Sequence, residues 1–113
     1  MGQFEIDRDS LSTLRRVTYS DDVKGVTTTA HPKRLKHRWS VNVANGWPNQ
    51  AFQVYKYQVG ERRREVMHTV RSARRGKMSY MHDLAVTENH IALFEMPAYM
   101  NMSVCAAHLV HGI

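Results

Sequence analysis

Turn-forming residues interrupt this chain at short intervals, and that punctuation constrains its fold more than any other feature. Between the interruptions lie short runs rich in Val, Thr, Phe, Tyr and Trp, residues that suit a pleated, half-buried surface. Residues 1–6 read as a short edge strand. A polar segment follows in which Asp9 or Ser10 is placed to cap a brief turn or helix through Leu14. Asp21, Asp22 and Gly25 mark a turn before the β-branched run Thr27, Thr28 and Thr29. His31 and Pro32 come next, and the proline, lacking an N–H, is expected to end strand pairing. Strands are predicted over 39–44, 51–59 and 65–70, with turns at 45–49 and at Gly60. Residues 72–77 form a basic loop. Residues 78–86 and 91–96 then read as the arms of a hairpin about Thr87, Glu88 and Asn89, the second arm apolar on both faces, as for an inner strand.

This pattern predicts an all-β fold. Periodicity leaves open a small sandwich, a barrel, or one to two blades of a propeller. At the end of the chain, from Cys105, His108 and His111 would share a face if that short segment were helical.

The length, 113 residues, fits one modest domain or part of a larger one, and residues 1–113 are read as a single unit. Sixteen Lys and Arg against ten Asp and Glu give a formal charge of +6. Such a balance attracts phosphates, nucleic acid or anionic lipid without selecting among them. The basic residues cluster at Arg15 and Arg16, at 33–38 and at 62–77, where most are expected to be solvated. Cys105 is the only cysteine, which excludes an internal disulfide and a multi-cysteine zinc site. No apolar run is long enough to cross a bilayer and no signal-peptide core opens the chain, so the expected location is cytoplasmic.

Two motifs carry more information. The first is Thr29-Ala30-His31-Pro32-Lys33, preceded by Leu14-Arg15-Arg16-Val17. The second runs Ser79-Tyr80-Met81-His82-Asp83-Leu84-Ala85-Val86-Thr87-Glu88-Asn89-His90-Ile91-Ala92-Leu93-Phe94-Glu95-Met96-Pro97. Both, in this order and together with Arg62 to Val66, resemble the carotenoid cleavage oxygenases, the retinal pigment epithelial membrane protein family. The likeness extends over roughly residues 11–100.

The resemblance implies an internal piece of a seven-bladed β-propeller whose axis holds Fe(II) through four histidines, with His31 and His82 as two of the ligands. It further implies O2 as co-substrate, a carotenoid, apocarotenoid or related conjugated alkene as the apolar substrate, and cleavage to two carbonyl products. Neutral imidazole suits Fe(II) and can be oriented through its second nitrogen. Asp83 is a candidate to orient His82 or to bind a turn amide, and Glu88 and Asn89 are expected to stabilise the hairpin turn. Glu95 is expected at a blade contact or polar edge. His37 and His68 are read as solvent-facing or locally paired, and His90 as a hydrogen-bonding or packing residue where the family commonly has an aromatic one. His108 and His111 lack a supporting motif. Met78, Met81, Met96, Met100 and Met102 are read as packing residues.

No match appears to the family's third and fourth histidines or to an upstream glutamate behind the ligands, and substrate-pocket residues are unassigned. The chain alone is therefore expected to be weakly active or inactive, requiring further propeller segments or an oligomer partner. Peripheral membrane contact through the basic patches is compatible with the charge. The alternatives are a noncatalytic β-rich remnant and, with less support, a basic nucleic-acid-binding module using the arginines from Arg62 to Arg75.

Overall fold

The computed structural model describes residues 3–25, 27–36, 38–46, 50–73 and 77–100. His37, Arg74, Arg75, Met102, Cys105, His108 and His111 lie outside the described residues, as does the expected terminal helical segment. Among the described residues, eleven strands and no helix make the fold all-β, as its punctuation predicts. β1 (Gln3–Ile6) and β2 (Thr13–Val17) form an antiparallel hairpin. The turn between them is organised by Asp7, whose Oδ1 accepts hydrogen bonds from the amides of Asp9 and Ser10 at 3.1 and 2.7 Å. Of the brief turn or helix expected through Leu14, the turn forms at residues 8–10 and a strand follows from Thr13, because Asp7 satisfies those amides in the turn and leaves nothing to propagate as a helix.

The main sheet contains β3 (Thr27–Thr28), β4 (Lys33–Leu35), β5 (Trp39–Gly46), β6 (Ala51–Tyr57) and β7 (Glu65–Arg71). β5 and β6 pair without interruption from Ser40 opposite Tyr57 to Gly46 opposite Ala51. Asn45 and Gly46, expected in the turn, thus extend the strand. Between β6 and β7 the register shifts at Val54 and Tyr55, leaving Met67 as an extra residue that packs against the core.

From Ser40 to Gly46 β5 is buried on both sides, so both faces have a cover. One face is apolar: Val41 and Val43 join Phe52 and Val54 of β6 in a cluster with Met81 and Leu84. The other is polar and aromatic. There the Tyr55 hydroxyl is 2.8 Å from Thr28 Oγ1, and the Arg64 guanidinium stands over the rings of Tyr55 and Tyr19. Arg64 is also bound to Asp21 by Nε and Nη2 at 2.9 and 2.8 Å, an ion pair with side-chain exposures of 15% and 3%. Most of the basic run at 62–77 is exposed where described; Arg64 is drawn inward by that partner.

The apolar face is covered by the segment after residue 77. β8 (Met78–Ser79) pairs with β11 (Tyr99–Met100), and β9 (Leu84–Val86) pairs with β10 (Ile91–Leu93). The first expected hairpin arm, 78–86, is therefore split into β8 and β9, and the second, 91–96, is shortened to β10, with β11 lying beyond it. Burial of both faces of the second arm does not occur: Ile91 and Leu93 are half-buried against the core, whereas Ala92 is exposed and Phe94 is 73% exposed. A strand covers its second face only if another element reaches it, and none of the described residues does so here.

Candidate metal centre

Each of the two motif histidines sits in the break of a divided strand. β3 and β4 both pair with β5, but Thr28 faces Ala44 while Lys33 faces Val41, so residues 29–32 span the space opposite only Asn42 and Val43. Pro32 cannot donate to the ladder, and the surplus residues are pushed out of the sheet. The gap is closed by Asn42. Its Oδ1 accepts hydrogen bonds from Thr29 Oγ1 and the Val43 amide, each at 2.8 Å, and its Nδ2 donates to the Thr29 carbonyl at 2.9 Å. Thr29 Oγ1 in turn accepts the His31 amide at 3.1 Å. The backbone of the exposed His31 is thus moored to a buried polar cluster, Asn42 being 2% and Thr29 5% exposed.

The second break separates β8 from β9. Ser79 Oγ donates to the Met96 carbonyl at 2.5 Å, and the Tyr80 amide donates to the Ala98 carbonyl at 2.8 Å. Met81 turns into the core at 4% exposure, so the next side chain, His82, points out. The hydroxyl of Tyr80 makes a long contact, 3.4 Å, with His82 Nδ1, leaving Nε2 for a ligand.

These breaks meet. The rings of His31 and His82 have centroids 4.8 Å apart with planes inclined by 54°. Two imidazoles bound side by side to one first-row cation, each through a nitrogen about 2.1 Å from the ion, bring their ring centres to roughly 4.5–5.5 Å of each other. The pair therefore fits as two neighbouring ligands. Among the described residues no group of three or more His, Cys, Asp or Glu could hold a metal, so the described donor set is these two imidazoles.

Beside the pair, the Nζ of Lys33 lies 2.9 Å from both carboxylate oxygens of Asp83. Asp83 Oδ1 also accepts the Leu84 amide at 2.7 Å. The Lys33 contact first, then the Leu84 amide, holds this carboxyl below its usual range. Asp83 thus binds Lys33 and the Leu84 amide at the start of β9, while the hydrogen-bonding contact to the His82 ring comes from Tyr80. At the β9–β10 turn, closure comes from Thr87: its amide donates to the His90 carbonyl at 2.8 Å and its Oγ1 accepts the His90 amide at 3.0 Å. Glu88 and Asn89 are the exposed residues at the tip, and His68 and His90 are exposed as well. Glu95 accepts hydrogen bonds from Ser72 Oγ and from the Ala73 amide, the latter at 3.0 Å, which places it at a contact with the end of β7.

One groove among the described residues, about 690 Å3, is lined by Tyr19, Asp21, Trp39, Lys56 and Arg64, among others, and includes neither histidine. Its charges Asp21 and Arg64, and Lys56 and Glu65, are engaged with each other, so volume does not mark the chemistry here. Residue-by-residue reading did not single out Lys33, Asn42 or Tyr80. Asn42 carries a detectable signal, being an amide between Val41 and Val43 on a strand whose pattern predicts burial.

An antiparallel all-β chain with open sheets is the form that part of a β-propeller takes, and the two histidine-bearing strand breaks that meet in it mark a candidate metal site. The family model described as retinal pigment epithelial membrane protein matches residues 3–111, and the chain belongs to that family. Curated relatives include the mitochondrial carotenoid-cleaving dioxygenase of Pongo abelii, 26% identical over 117 aligned residues covering 96% of this chain and 21% of the relative. The mitochondrial carotenoid-cleaving dioxygenase of Homo sapiens is likewise 26% identical, with 96% of this chain and 20% of the relative covered. The chain thus spans about a fifth of the length of the curated relatives it matches. Among the described residues no helix is long and apolar enough to cross a membrane.

Proposed function

We propose that His31 and His82 are two of four imidazole ligands to Fe(II) in a protein that uses O2 to cleave an alkene bond of a carotenoid or related apolar conjugated compound into two carbonyl products. The observation that carries this reading is the approach of the two rings to 4.8 Å from strand breaks in different sheets. Bound iron would supply the activation of O2. The chain's own residues perform the placement: the Thr29 and Asn42 cluster fixes the backbone of His31, and Tyr80 engages one nitrogen of His82 so that the other faces the ion. Mooring the short strand breaks that carry the imidazoles to the flanking strands would restrain their separation as substrate binds.

Further propeller segments would supply the remaining imidazoles and the apolar tunnel, so this chain alone is expected to be weakly active or inactive. The test uses a longer protein containing this segment. Iron content and oxygen-dependent carotenoid cleavage are measured for the parent and for His31→Ala and His82→Ala. Loss of both properties in each variant is expected. Unchanged iron and turnover in both variants would remove the histidines from the site.

A further inference from the structure

Lys33 and Asp83 join the two segments that carry the histidines without contributing an imidazole themselves. Lys33 begins β4, two residues after His31, and its backbone is held opposite Val41 in the main sheet. Asp83 directly follows His82 and precedes β9, in the hairpin that covers the other side of the core. Across a sequence separation of 50 residues, Nζ contacts both carboxylate oxygens at 2.9 Å. We propose that Lys33 and Asp83 are a positioning pair that sets the spacing of the His31 and His82 rings for a shared cation. The inference rests on the reading of those rings as ligands.

Burial alone does not set that spacing. Leu35, Leu84 and Val86 hold β4 and β9 together through apolar contact, which is non-directional and tolerates sliding. The ammonium–carboxylate contact instead opposes separation of the two segments at one point, and the backbone positions it joins lie close to the rings: one residue from His82 and two from His31. With side-chain exposures of 37% and 46%, the pair belongs to a type that adds little to global stability. Its consequence is therefore expected in ring placement rather than in unfolding.

Placement and simple electrostatics predict different signs. If only charge mattered, removing the Lys33 ammonium would strengthen cation binding and removing the Asp83 carboxylate would weaken it. If the pair positions the rings, removing either partner weakens binding.

The experiment uses the 113-residue chain and Zn(II) as a diamagnetic probe. Nuclear Overhauser cross-peaks between the imidazole protons of His31 and His82 report ring spacing without metal, and Zn(II) titration reports affinity. Lys33→Ala and Asp83→Ala are each expected to weaken the cross-peak and to lower Zn(II) affinity by about three- to tenfold. Recovery of both is expected in the charge-reversed double variant Lys33→Asp with Asp83→Lys, and near-parent behaviour in Lys33→Arg. Glu5→Ala, which breaks the exposed Arg15–Glu5 pair, should change neither. Amide spectra establish that each variant is folded, and if either alanine variant is not, Lys33→Met and Asp83→Asn take their place. Parent-strength cross-peaks in both single variants, opposite signs of the affinity change, or no cross-peak in the parent would each overturn the proposal. If the cross-peak responds to the pair while Zn(II) leaves both rings undisturbed, the positioning stands and the metal reading fails.

Discussion

Replacing Asn42 with Ala should be among the most damaging single changes outside the apolar core. The amide is 2% exposed and makes three hydrogen bonds, to Thr29 Oγ1, to the Thr29 carbonyl and to the Val43 amide. Each such bond contributes about 1 kcal/mol net, and a polar group left buried without a partner costs about 1–3 kcal/mol. Thr29 is itself 5% exposed, so water can replace few of the lost bonds. The expected loss is about 3 kcal/mol, a large share of the roughly 5–15 kcal/mol that stabilises a typical domain. In equilibrium urea unfolding, with a slope of about 1.5 kcal/mol per molar, the midpoint should fall by about 2 M. Asn42→Leu should not recover it, because the Thr29 hydroxyl and carbonyl remain stranded. The folded fraction should also bind cations more weakly, since the His31 amide hangs on the same Thr29 oxygen. A loss below about 1 kcal/mol with parent affinity would show that the amide does not hold the strand break.

Other outcomes follow from the same contacts. For Asp21, burial pushes the carboxyl up, but hydrogen bonds from the Arg64 side chain and backbone and from the Val23 amide outweigh it, and the net shift is downward. Its stabilising contribution is therefore complete above the ordinary carboxylate pKa and is lost as pH falls through the lowered one. Asp21→Asn should flatten the acid limb of the stability profile by up to about 1.4 kcal/mol per pH unit, measured by urea unfolding from pH 6 to about pH 2. The same variant at neutral pH leaves the Arg64 charge without its carboxylate and should cost about 3 kcal/mol; an unchanged midpoint would mean that the pair is dispensable. Phe52→Ala, at a ring 3% exposed in the core cluster, should cost about 3–5 kcal/mol in the same assay. Gly25→Ala places a methyl 2.7 Å from the Ala44 Cβ and 3.0 Å from the Asn45 carbonyl oxygen, so the melting temperature should drop; an unchanged value would show that residue 25 is free to withdraw.

Much of the strand content is legible locally because β-branched and aromatic runs alternate with Gly, Pro and Asn. β5, β6 and β7 lie where Val41, Val43, Phe52, Val54 and Val70 place them, with ends that differ by one or two residues. The splitting of the 78–86 arm is not legible in this way. Met78, Met81, Leu84 and Val86 suggest one apolar strand, whereas the pairing breaks between Ser79 and Leu84. Whether Ala92 and Phe94 are covered depends on another element, which no pattern within that strand encodes.

The histidines were found through their motifs, and the geometry adds that the two rings meet. Their supports lie further from any local signal. Lys33 and Asp83 are 50 residues apart, and a lysine in a basic cluster gives no hint of its partner. Arg64 was similarly concealed in a charge run, because only the returning chain brings Asp21 to it.

The central claim is tested most directly by adding one equivalent of Cu(II) to the chain and recording pulsed electron paramagnetic resonance, which counts coordinated imidazoles. Two imidazoles are predicted for the parent, falling to one in His31→Ala and in His82→Ala. A parent spectrum that is unaffected by both replacements would contradict the account.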